Sequence, residues 1–384
     1  MNYRKLGKTE MDVSIIGLGP EHLLGIPYEQ IEAIVRACID RGINIMDIFM
    51  PQESVRKDIG KALKGQRDKM IIQGHIGSVL AEGSDQFDIS RDLNKSKRSF
   101  EELLRLLDTD YIDIGMLFYI DSEDDFGGTF ENGLADYALE LKKNGTIRAI
   151  GFSSHNPIMA KRVIESGIID VMMFSINPAF DMFPADRDVL ASLEDTKYTE
   201  SLTGIDPVRA DLYRLCEQKA VGITVMKTYG GGRLLDPKSS PFKKTLTPSQ
   251  CIHFALTRPA VASALIGCTS VSQIEAALEY LNASDDMRDY SAAIAEYQKD
   301  FSGSCVYCNH CQPCPVGVDI AAVTKFLDIA RLDELNIPPT IRHHYGNLAH
   351  KAGECIACGS CEERCPFSVG VIENMKVAAR LFGE

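Results

Sequence analysis

The feature that most constrains the fold is a regular alternation of short apolar runs with longer amphipathic segments between about residues 13 and 281. The predicted strands are 13–19, 43–47, 69–77, 111–118, 146–154, 168–177, 220–227 and 260–267. Near-continuous apolar strands are typical of a parallel sheet buried on both faces, and eight strand–helix units close such a sheet into a barrel. The sequence therefore predicts an α/β fold, a (β/α)8 TIM barrel.

A change of composition after the last predicted strand–helix unit indicates a second domain. Residues 285–301 have the pattern of a linking helix, and the cysteine-rich residues 302–384 follow. Within them, 319–332 has helical periodicity, with Asp319 as the predicted N-cap. We predict a barrel domain over 1–284 and a linker helix with a small helical domain over 285–384.

Eight of the twelve cysteines fall into two runs within that second domain. The first run places a cysteine at every third position and ends at Pro315; the second has the spacing C-x2-C-x2-C-x3-C and ends at Pro366. Their members are Cys305, Cys308, Cys311 and Cys314 in the first run, and Cys355, Cys358, Cys361 and Cys365 in the second. The second run has the spacing of bacterial ferredoxins, in which the fourth cysteine ligates the other cluster.

This spacing predicts two 4Fe–4S clusters with crossed ligation, a ferredoxin-like arrangement. The predicted ligands of cluster I are Cys305, Cys308, Cys311 and Cys365. The predicted ligands of cluster II are Cys355, Cys358, Cys361 and Cys314. Structural zinc also uses C-x2-C pairs, but a zinc site is complete with four ligands and needs no third cysteine at the same spacing. Disulfides suit short secreted chains, and no secretory signal is recognisable here.

The overall charge and hydropathy pattern restrict the function classes. The formal net charge of −13 argues against nucleic acid as a partner, because phosphate binding needs concentrated Lys and Arg. No apolar run approaches the length of a membrane span, so no membrane association is expected. The four remaining cysteines stand singly in apolar or helical surroundings, as reduced thiols do in a cytosolic protein. A cytoplasmic location is therefore predicted.

Catalytic residues of a TIM barrel lie at the carboxyl ends of its strands. Asp47, His75 and Lys227 stand at three such ends and are the predicted polar working groups. Other roles remain open: Asp47 as an N-cap or loop salt bridge, His75 as a core histidine with satisfied hydrogen bonds, and Lys227 as a salt-bridge partner of Asp47. Residues 181–206 exceed ordinary loop length, which would suit a lid or a docking surface, and a solvated loop is the default interpretation.

Four segments of the barrel resemble the aldo-keto reductase family, namely 3–14, 42–47, 146–156 and 263–278. Together with the cysteine runs, the whole chain is similar to the subfamily that carries a C-terminal domain with two 4Fe–4S clusters. The resemblance implies a nicotinamide-dependent carbonyl reductase with an Asp, Tyr, Lys, His tetrad. Asp47 matches the aspartate. The lysine falls on His75, the histidine falls on Phe118, and residues 48–53, where the tyrosine would lie, contain none.

The resemblance also implies nucleotide contacts. Ser153 and Ser154 match the residues that bind the nicotinamide amide, and Gly267, Ser270 and Gln273 match the start of the phosphate and adenine region. The basic residue that would bind a 2′-phosphate is absent there, and Ala277 stands where an asparagine would contact adenine.

Iron–sulfur clusters pass single electrons whereas nicotinamide passes a hydride, so coupling them needs a flavin, a radical intermediate or a substrate that accepts electrons singly. The sequence thus predicts an anaerobe-type oxidoreductase that couples two 4Fe–4S clusters to redox chemistry on a small organic substrate. A ferredoxin or a flavoprotein is the expected electron partner, and NAD(P)H or a flavin is the organic cofactor left open. Two alternatives are an NAD(P)H-dependent reductase with structural clusters and a non-catalytic electron-transfer subunit.

Overall fold

The computed structural model describes residues 1–181, 206–242, 244–294 and 302–383. The chain divides into two compact units. The first unit comprises Met1–Ile176, Val221–Thr228 and Val261–Leu281, and the second comprises Asn177–Ala220, Tyr229–Ala260 and Asn282–Glu384. The predicted lid or docking surface lies outside the described residues except for Asp181 and Asp206, and so do residues 295–301 of the predicted linking helix. The predicted boundary at residue 284 stays a prediction.

The first unit contains a closed barrel of eight parallel strands, as predicted. In barrel order the strands are β10 (Val171–Ser175), β11 (Gly222–Met226), β12 (Val261–Gly267), β3 (Ile16–Gly19), β4 (Ile45–Ile48), β5 (Ile71–Ile76), β8 (Ile112–Leu117) and β9 (Ile147–Ser154). Each strand pairs in parallel with both neighbours, so the backbone hydrogen bonds run round the whole circle. The (β/α)8 prediction is confirmed.

Seven helices of the first unit lie between or after these strands. They are α1 (Tyr28–Asp40), α2 (Glu53–Ala62), α3 (Leu93–Leu106), α4 (Glu123–Phe130), α5 (Leu134–Asn144), α6 (Pro157–Glu165) and α10 (Val271–Leu278). Several of these helices begin at residues that favour a helix N-terminus. At the start of α3 the Asp92 side chain accepts the Lys95 N–H. Asn156 caps α6, and Pro157 occupies the first helical position.

Apolar side chains from alternate strand positions fill the barrel. This core comprises Leu6, Met11, Val13, Ile45, Ile114, Met116, Ala149, Val171, Met173, Ala262 and Leu265. Its polar neighbour Asp47 lies two residues beyond Ile45 on the same face of β4, as the strand periodicity predicts. Ile43 was expected below Ile45; it is buried but lies outside this cluster.

Two parts of the first unit differ from the prediction. The first strand is interrupted at Ile15: β2 (Asp12–Ser14) pairs antiparallel with β1 (Tyr3–Lys5), and only β3 joins the barrel. No helix was predicted at the acidic residues 121–125, but α4 begins within them. Ser122 and Asp125 form a reciprocal capping box, and acidic side chains in a first turn favour the helix dipole.

The second unit is helical wherever the structure assigns regular elements to it. Its helices are α7 (Pro178–Asp181), α8 (Pro207–Gln218), α9 (Pro248–Leu256), α11 (Asp285–Arg288), α12 (Ser291–Ile294), α13 (Ile320–Ala330), α14 (Pro339–Gly346), α15 (Ser360–Arg364) and α16 (Val371–Phe382). The N-cap prediction is confirmed, since Asp319 accepts the Ala322 N–H. The linking helix was predicted as continuous, and this is wrong at Asp289, where an extended backbone separates α11 from α12.

In the part of the chain that the structure describes, no helix combines the length and apolar character needed to cross a membrane.

Candidate functional site

Asp47, Gln73 and His75 form a buried polar trio inside the first unit. The Asp47 Oδ1 atom accepts hydrogen bonds from His75 Nε2 at 2.8 Å and from Gln73 Nε2 at 2.9 Å. Because a carboxylate only accepts, His75 carries a proton on Nε2. The other ring nitrogen, Nδ1, is buried and finds no hydrogen-bond partner among the described residues. The arrangement fixes the imidazole and leaves Nδ1 to exchange a proton.

Aromatic rings enclose His75. Its ring lies 5.2 Å from Phe118 and 6.2 Å from Phe49, measured between centroids, and both contacts are edge-on. Phe87, on the hairpin strand β7 (Phe87–Ile89), contacts both phenylalanines at 5.4 and 5.9 Å. We call Phe49, Phe87 and Phe118 the aromatic cap. His75 is 0% exposed and Asp47 4% exposed, so neither side chain is open to solvent in this structure.

Lys227, the third predicted working group, follows β11 directly. Its backbone is left-handed, with a φ of 57°, and the residue is half-buried. Tyr119, after β8, has a similar φ of 55°. Left-handed backbone at a non-glycine residue costs on the order of 1 kcal/mol or more and concentrates at functional sites. Asp47 and His75 are in contact, and Lys227 lies at another strand end of the same barrel.

The two serines expected at a nicotinamide amide end β9, and both hydroxyls have partners. Ser153 Oγ accepts the Tyr119 N–H at 2.9 Å, which leaves its own proton available to an acceptor. Ser154 Oγ donates to Asp121 Oδ1 at 2.7 Å. Ser154 therefore retains only accepting capacity.

Asp121 organises the turn after β9, a role that the sequence analysis missed. Its carboxylate accepts from the His155 backbone N–H at 2.6 Å and from His155 Nδ1 at 2.9 Å. Burial alone raises the pKa of Asp121, but the hydrogen bond and charge of His155 outweigh it, and the pKa lies below its ordinary value. The only signal in the sequence for this role was that the turn after β9 leaves backbone N–H groups that need an acceptor.

The residues expected near a nucleotide phosphate lie where β12 gives way to α10. Gly267 ends β12, and Ser270 is the N-cap of α10 without a side-chain capping bond. The Gln273 Oε1 atom accepts the Thr269 N–H at 2.7 Å. Gly267 and Gln273 are exposed and Ser270 is half-exposed, so all three remain accessible to a ligand.

Within the second unit, four cysteines from both runs line one largely apolar cavity. They are Cys314, Cys355, Cys358 and Cys361. Val318, Ile320 and Met375 supply part of its apolar wall. This is the predicted ligand set of cluster II, with Cys314 contributed by the first run.

The other four cysteines also lie near one another. Arg364, directly before Cys365, donates to the Cys311 carbonyl oxygen at 2.7 Å, which brings the end of the second run beside the first run. Burial is the largest cause that raises the pKa of Cys308 to about 12, so its thiol releases a proton only to a strong competitor such as a metal. This is the predicted ligand set of cluster I.

No group of three or more His, Cys, Asp or Glu side chains among the described residues is arranged to hold a single metal ion. Around a 4Fe–4S cluster each thiolate binds a different iron, so the sulfurs need not converge on one point. The backbone fits an anionic group: Tyr307, Asn309 and Ala357, inside the cysteine loops, have φ values of 60°, 69° and 53°. Left-handed residues in such loops turn N–H groups toward a bound anion.

The similarity to known proteins lies mainly in the barrel part of the chain. The sequence profile described as "Aldo/keto reductase family" matches residues 16–250 and ends before the cysteine runs. A curated relative, "Uncharacterized oxidoreductase YqkF" of Bacillus subtilis (strain 168), is 25% identical over 298 residues. That alignment covers 74% of this chain and 92% of the relative.

Solved structures with this fold include the holo form of aldo-keto reductase AKR11C1 from Bacillus halodurans, with a TM-score of 0.58 and 22% identity over 75% of this chain and 94% of that one. Another is an aldo/keto reductase from Klebsiella pneumoniae in complex with NADP and acetate, with a TM-score of 0.52 and 18% identity. It is matched over 76% of this chain and 92% of its own. At sequence identities below 25%, the structural similarity shows a shared fold and nothing about function.

Proposed function

Because this chain belongs to the aldo/keto reductase family, it is an oxidoreductase, and we propose that it is an iron–sulfur oxidoreductase acting on a small organic substrate. The substrate would bind at the mouth of the barrel. Two 4Fe–4S clusters, when bound, would supply electrons one at a time.

The observation that carries the proposal is the crossed grouping of the cysteines. Cys314 of the first run lines the cavity of the second run, and Arg364, directly before Cys365 of the second run, donates to the Cys311 carbonyl oxygen of the first at 2.7 Å. An exchange of the fourth cysteine between runs is what two-cluster ferredoxins require. A zinc site built from one run alone would be complete with the four cysteines of that run and would need no cysteine from the other run. The donor chemistry, the apolar cavity and the left-handed loop residues all fit such clusters.

In the barrel we assign the proton chemistry to Asp47 and His75. Asp47 holds a proton on His75 Nε2 at 2.8 Å, so Nδ1 is the nitrogen that gives or takes the proton of the reaction. Gln73 donates to the same carboxylate oxygen and holds it in place. We assign to Lys227 the contact with a carbonyl or carboxylate oxygen of the substrate, which a compact ammonium group suits.

Loss of the family's tyrosine supports this assignment over simple carbonyl reduction. A developing alkoxide needs a donor within hydrogen-bond reach. The residues after Asp47 offer none with a phenol: Phe49 belongs to the aromatic cap, and Gln52 is buried and donates to the Asp85 carbonyl oxygen. His75 is then the acid in its imidazolium form, which carries a proton on Nδ1 as well as on Nε2. Its burial under the cap excludes water until substrate enters.

The first test is purification without oxygen, followed by iron, sulfide and organic-cofactor analysis. We expect about eight irons and about eight acid-labile sulfides per chain. Zinc in place of iron would overturn the proposal. Extraction of a flavin or a nicotinamide would identify the organic cofactor.

The second test follows the visible absorbance of dithionite-reduced protein mixed with small aldehydes, ketones and enones. A substrate should restore the oxidised spectrum with saturable kinetics. Cys358→Ser should reduce the iron content and slow that reoxidation, whereas Cys251→Ala, a buried cysteine outside both runs, should leave both unchanged.

Two other functions correspond to distinct outcomes. NADPH-dependent aldehyde reduction that survives iron removal would identify an ordinary reductase with structural clusters. Absence of any turnover, with a flavoprotein or ferredoxin that exchanges electrons with the chain, would identify an electron-transfer subunit. The proposal places the protein in the cytoplasm, where thiols stay reduced.

A further inference from the structure

A single buried arginine lies directly behind the loop that carries the first two cysteines. Arg258 follows α9 in the second unit and is 1% exposed. Its Nη2 atom donates to the Val306 carbonyl oxygen at 2.8 Å, and Val306 stands between Cys305 and Tyr307. The Tyr290 hydroxyl donates to the same oxygen at 2.7 Å.

The guanidinium is packed between aromatic rings. Its centre lies 4.2 Å from the Phe254 ring centroid and 5.1 Å from that of Tyr307. Such contacts orient the cation, but each contributes only on the order of 1 kcal/mol. Burying a charge without an opposite charge costs several kcal/mol. The aromatic rings alone therefore do not account for the position of Arg258.

Among the described residues, Arg258 has no carboxylate within salt-bridge distance, and two of its nitrogens, Nε and Nη1, find no acceptor. The nearby acids are already engaged. Asp328 accepts the Tyr307 hydroxyl at 2.9 Å and lies 3.7 Å from Arg331, and Asp289 pairs with His310. The positive charge of Arg258 thus stays uncompensated by protein groups in the part of the chain that is described.

Cys305 and Cys308 flank the carbonyl group that Arg258 binds, because Val306 directly follows Cys305 and lies two residues before Cys308. A 4Fe–4S cluster with four thiolates is a net anion, and reduction adds one more negative charge. A fixed cation beside it favours the reduced form.

We propose that Arg258 is the counter-charge of cluster I and raises the reduction potential of that cluster. The inference rests on the proposed function for the presence of the clusters. Arg258 acts through the field at Cys305 and Cys308 and touches neither substrate nor iron.

The test compares Arg258→Gln, Arg258→Lys and Tyr290→Phe by redox titration of the anaerobic protein, monitored by electron paramagnetic resonance. The glutamine variant keeps a hydrogen-bond donor and removes the charge. The lysine variant keeps the charge and loses the planar guanidinium group with its fixed set of N–H donors. Tyr290→Phe removes the neighbouring hydrogen bond to Val306 and keeps the charge. Iron content is measured on each sample.

We expect one of the two potentials to fall in Arg258→Gln and both to stay near their wild-type values in Arg258→Lys and Tyr290→Phe. Equal falls in all three variants would assign Arg258 to loop anchoring and overturn the proposal, as would unchanged potentials in Arg258→Gln. If the Gln variant loses iron, the Lys variant decides: wild-type potentials support the charge, and a lowered potential with full iron content overturns it. Wild-type protein without about eight irons per chain would instead refute the proposed function.

Discussion

At the scale of single residues, His75 combines complete burial with a ring nitrogen that has no partner among the described residues. Leaving a buried polar atom unbonded costs roughly 1–3 kcal/mol, so a protein keeps one only where something offsets the cost. A substrate atom that bonds Nδ1 after the aromatic cap moves would do so. The trio therefore has the character of a site prepared for a ligand.

Replacement of His75 by Ala is expected to abolish substrate-driven reoxidation while the iron content stays at the wild-type level. The imidazole is the proposed acid, and no other described group bonds Asp47 Oδ1 except Gln73. Leu117→Ala, which removes a fully buried side chain at the end of β8, is the matched control for lost volume. Such a cavity costs about 2–5 kcal/mol of stability. Near-normal rates in His75→Ala would remove His75 from the mechanism.

Asp121 gives a pH-dependent prediction. Its folded pKa lies below the unfolded value of about 3.9, so its contribution to stability is full above that value and is lost as pH falls through the folded pKa. Asp121→Asn removes the charged acceptor of His155 and should cost about 2 kcal/mol at pH 7. The cost should shrink as the pH is lowered below about 4, because the wild-type group then loses its charge.

Urea unfolding of wild-type and variant protein at several pH values checks this, since contributions common to both cancel in the difference. Asp124→Asn, a change at an exposed carboxylate in the first turn of α4, is the control and should stay within about 0.5 kcal/mol of wild type. A constant difference between Asp121→Asn and wild type at every pH would contradict the prediction.

Asp47 and His75 could be found from the sequence because an apolar run shows where a strand ends, and because side chains alternate between the two faces of a strand. It missed Gln73, although Gln73 lies two residues before His75 on the same strand face. It also assigned no role to Asp121, since a carboxylate in an acidic stretch looks the same whether it faces solvent or receives four hydrogen bonds.

At the scale of elements, helix packing decides the effect of substitutions that local propensity would favour. Gly60 lies inside α2, where alanine is normally better by about 1 kcal/mol. A Cβ atom there would come within 2.5 Å of the Leu106 carbonyl oxygen and 2.7 Å of Leu107 Cα. Displacing backbone costs about 1–3 kcal/mol, so the clash outweighs the propensity.

Gly60→Ala is therefore expected to lower the free energy of unfolding of the first unit by about 1–2 kcal/mol. Gly127→Ala in α4 should raise it by up to about 1 kcal/mol, because the nearest atom to its Cβ is Glu131 Oε2 at 3.8 Å. Urea midpoints from far-ultraviolet circular dichroism compare the two. A stabilised Gly60→Ala variant would mean that α2 moves freely against the end of α3.

Elements with strong periodicity were predictable to within a few residues, and the failures have local causes. The break at Ile15 follows from the β1–β2 hairpin, a pairing that the apolar run cannot report. The extended residue Asp289 divides a segment whose composition is helical throughout. The start of α4 depended on the Ser122–Asp125 capping box, which the sequence analysis overlooked.

At the scale of the whole molecule, the segments that carry the cysteines depend on something other than regular secondary structure. Described residues 302–319 contain no helix and no strand, and the second run follows only a short 3-10 turn before α15. Folding of such loops is coupled to the metal that their ligands bind. Cysteine spacing predicted that Cys314 lies with the second run, whereas the position of Arg258 depends on tertiary packing, which spacing does not report.

Iron removal is accordingly expected to raise amide hydrogen exchange in 302–383 and to leave the eight barrel strands protected. The barrel has its own apolar core within the first unit. Mass spectrometry of exchange before and after anaerobic chelation measures this. Loss of protection in the barrel strands at the same rate would show that the chain unfolds as one cooperative unit.

Closure of the barrel also bears on what happens to the chain after oxidative damage. Every barrel strand has a hydrogen-bonded neighbour on each side, and the two additional sheets are hairpins of three-residue strands. Long unpaired strand edges recruit other chains and begin aggregation. If the proposed clusters are present, a copy that has lost them to oxygen would offer few such edges in the described residues, so it should stay dispersed and able to bind iron again.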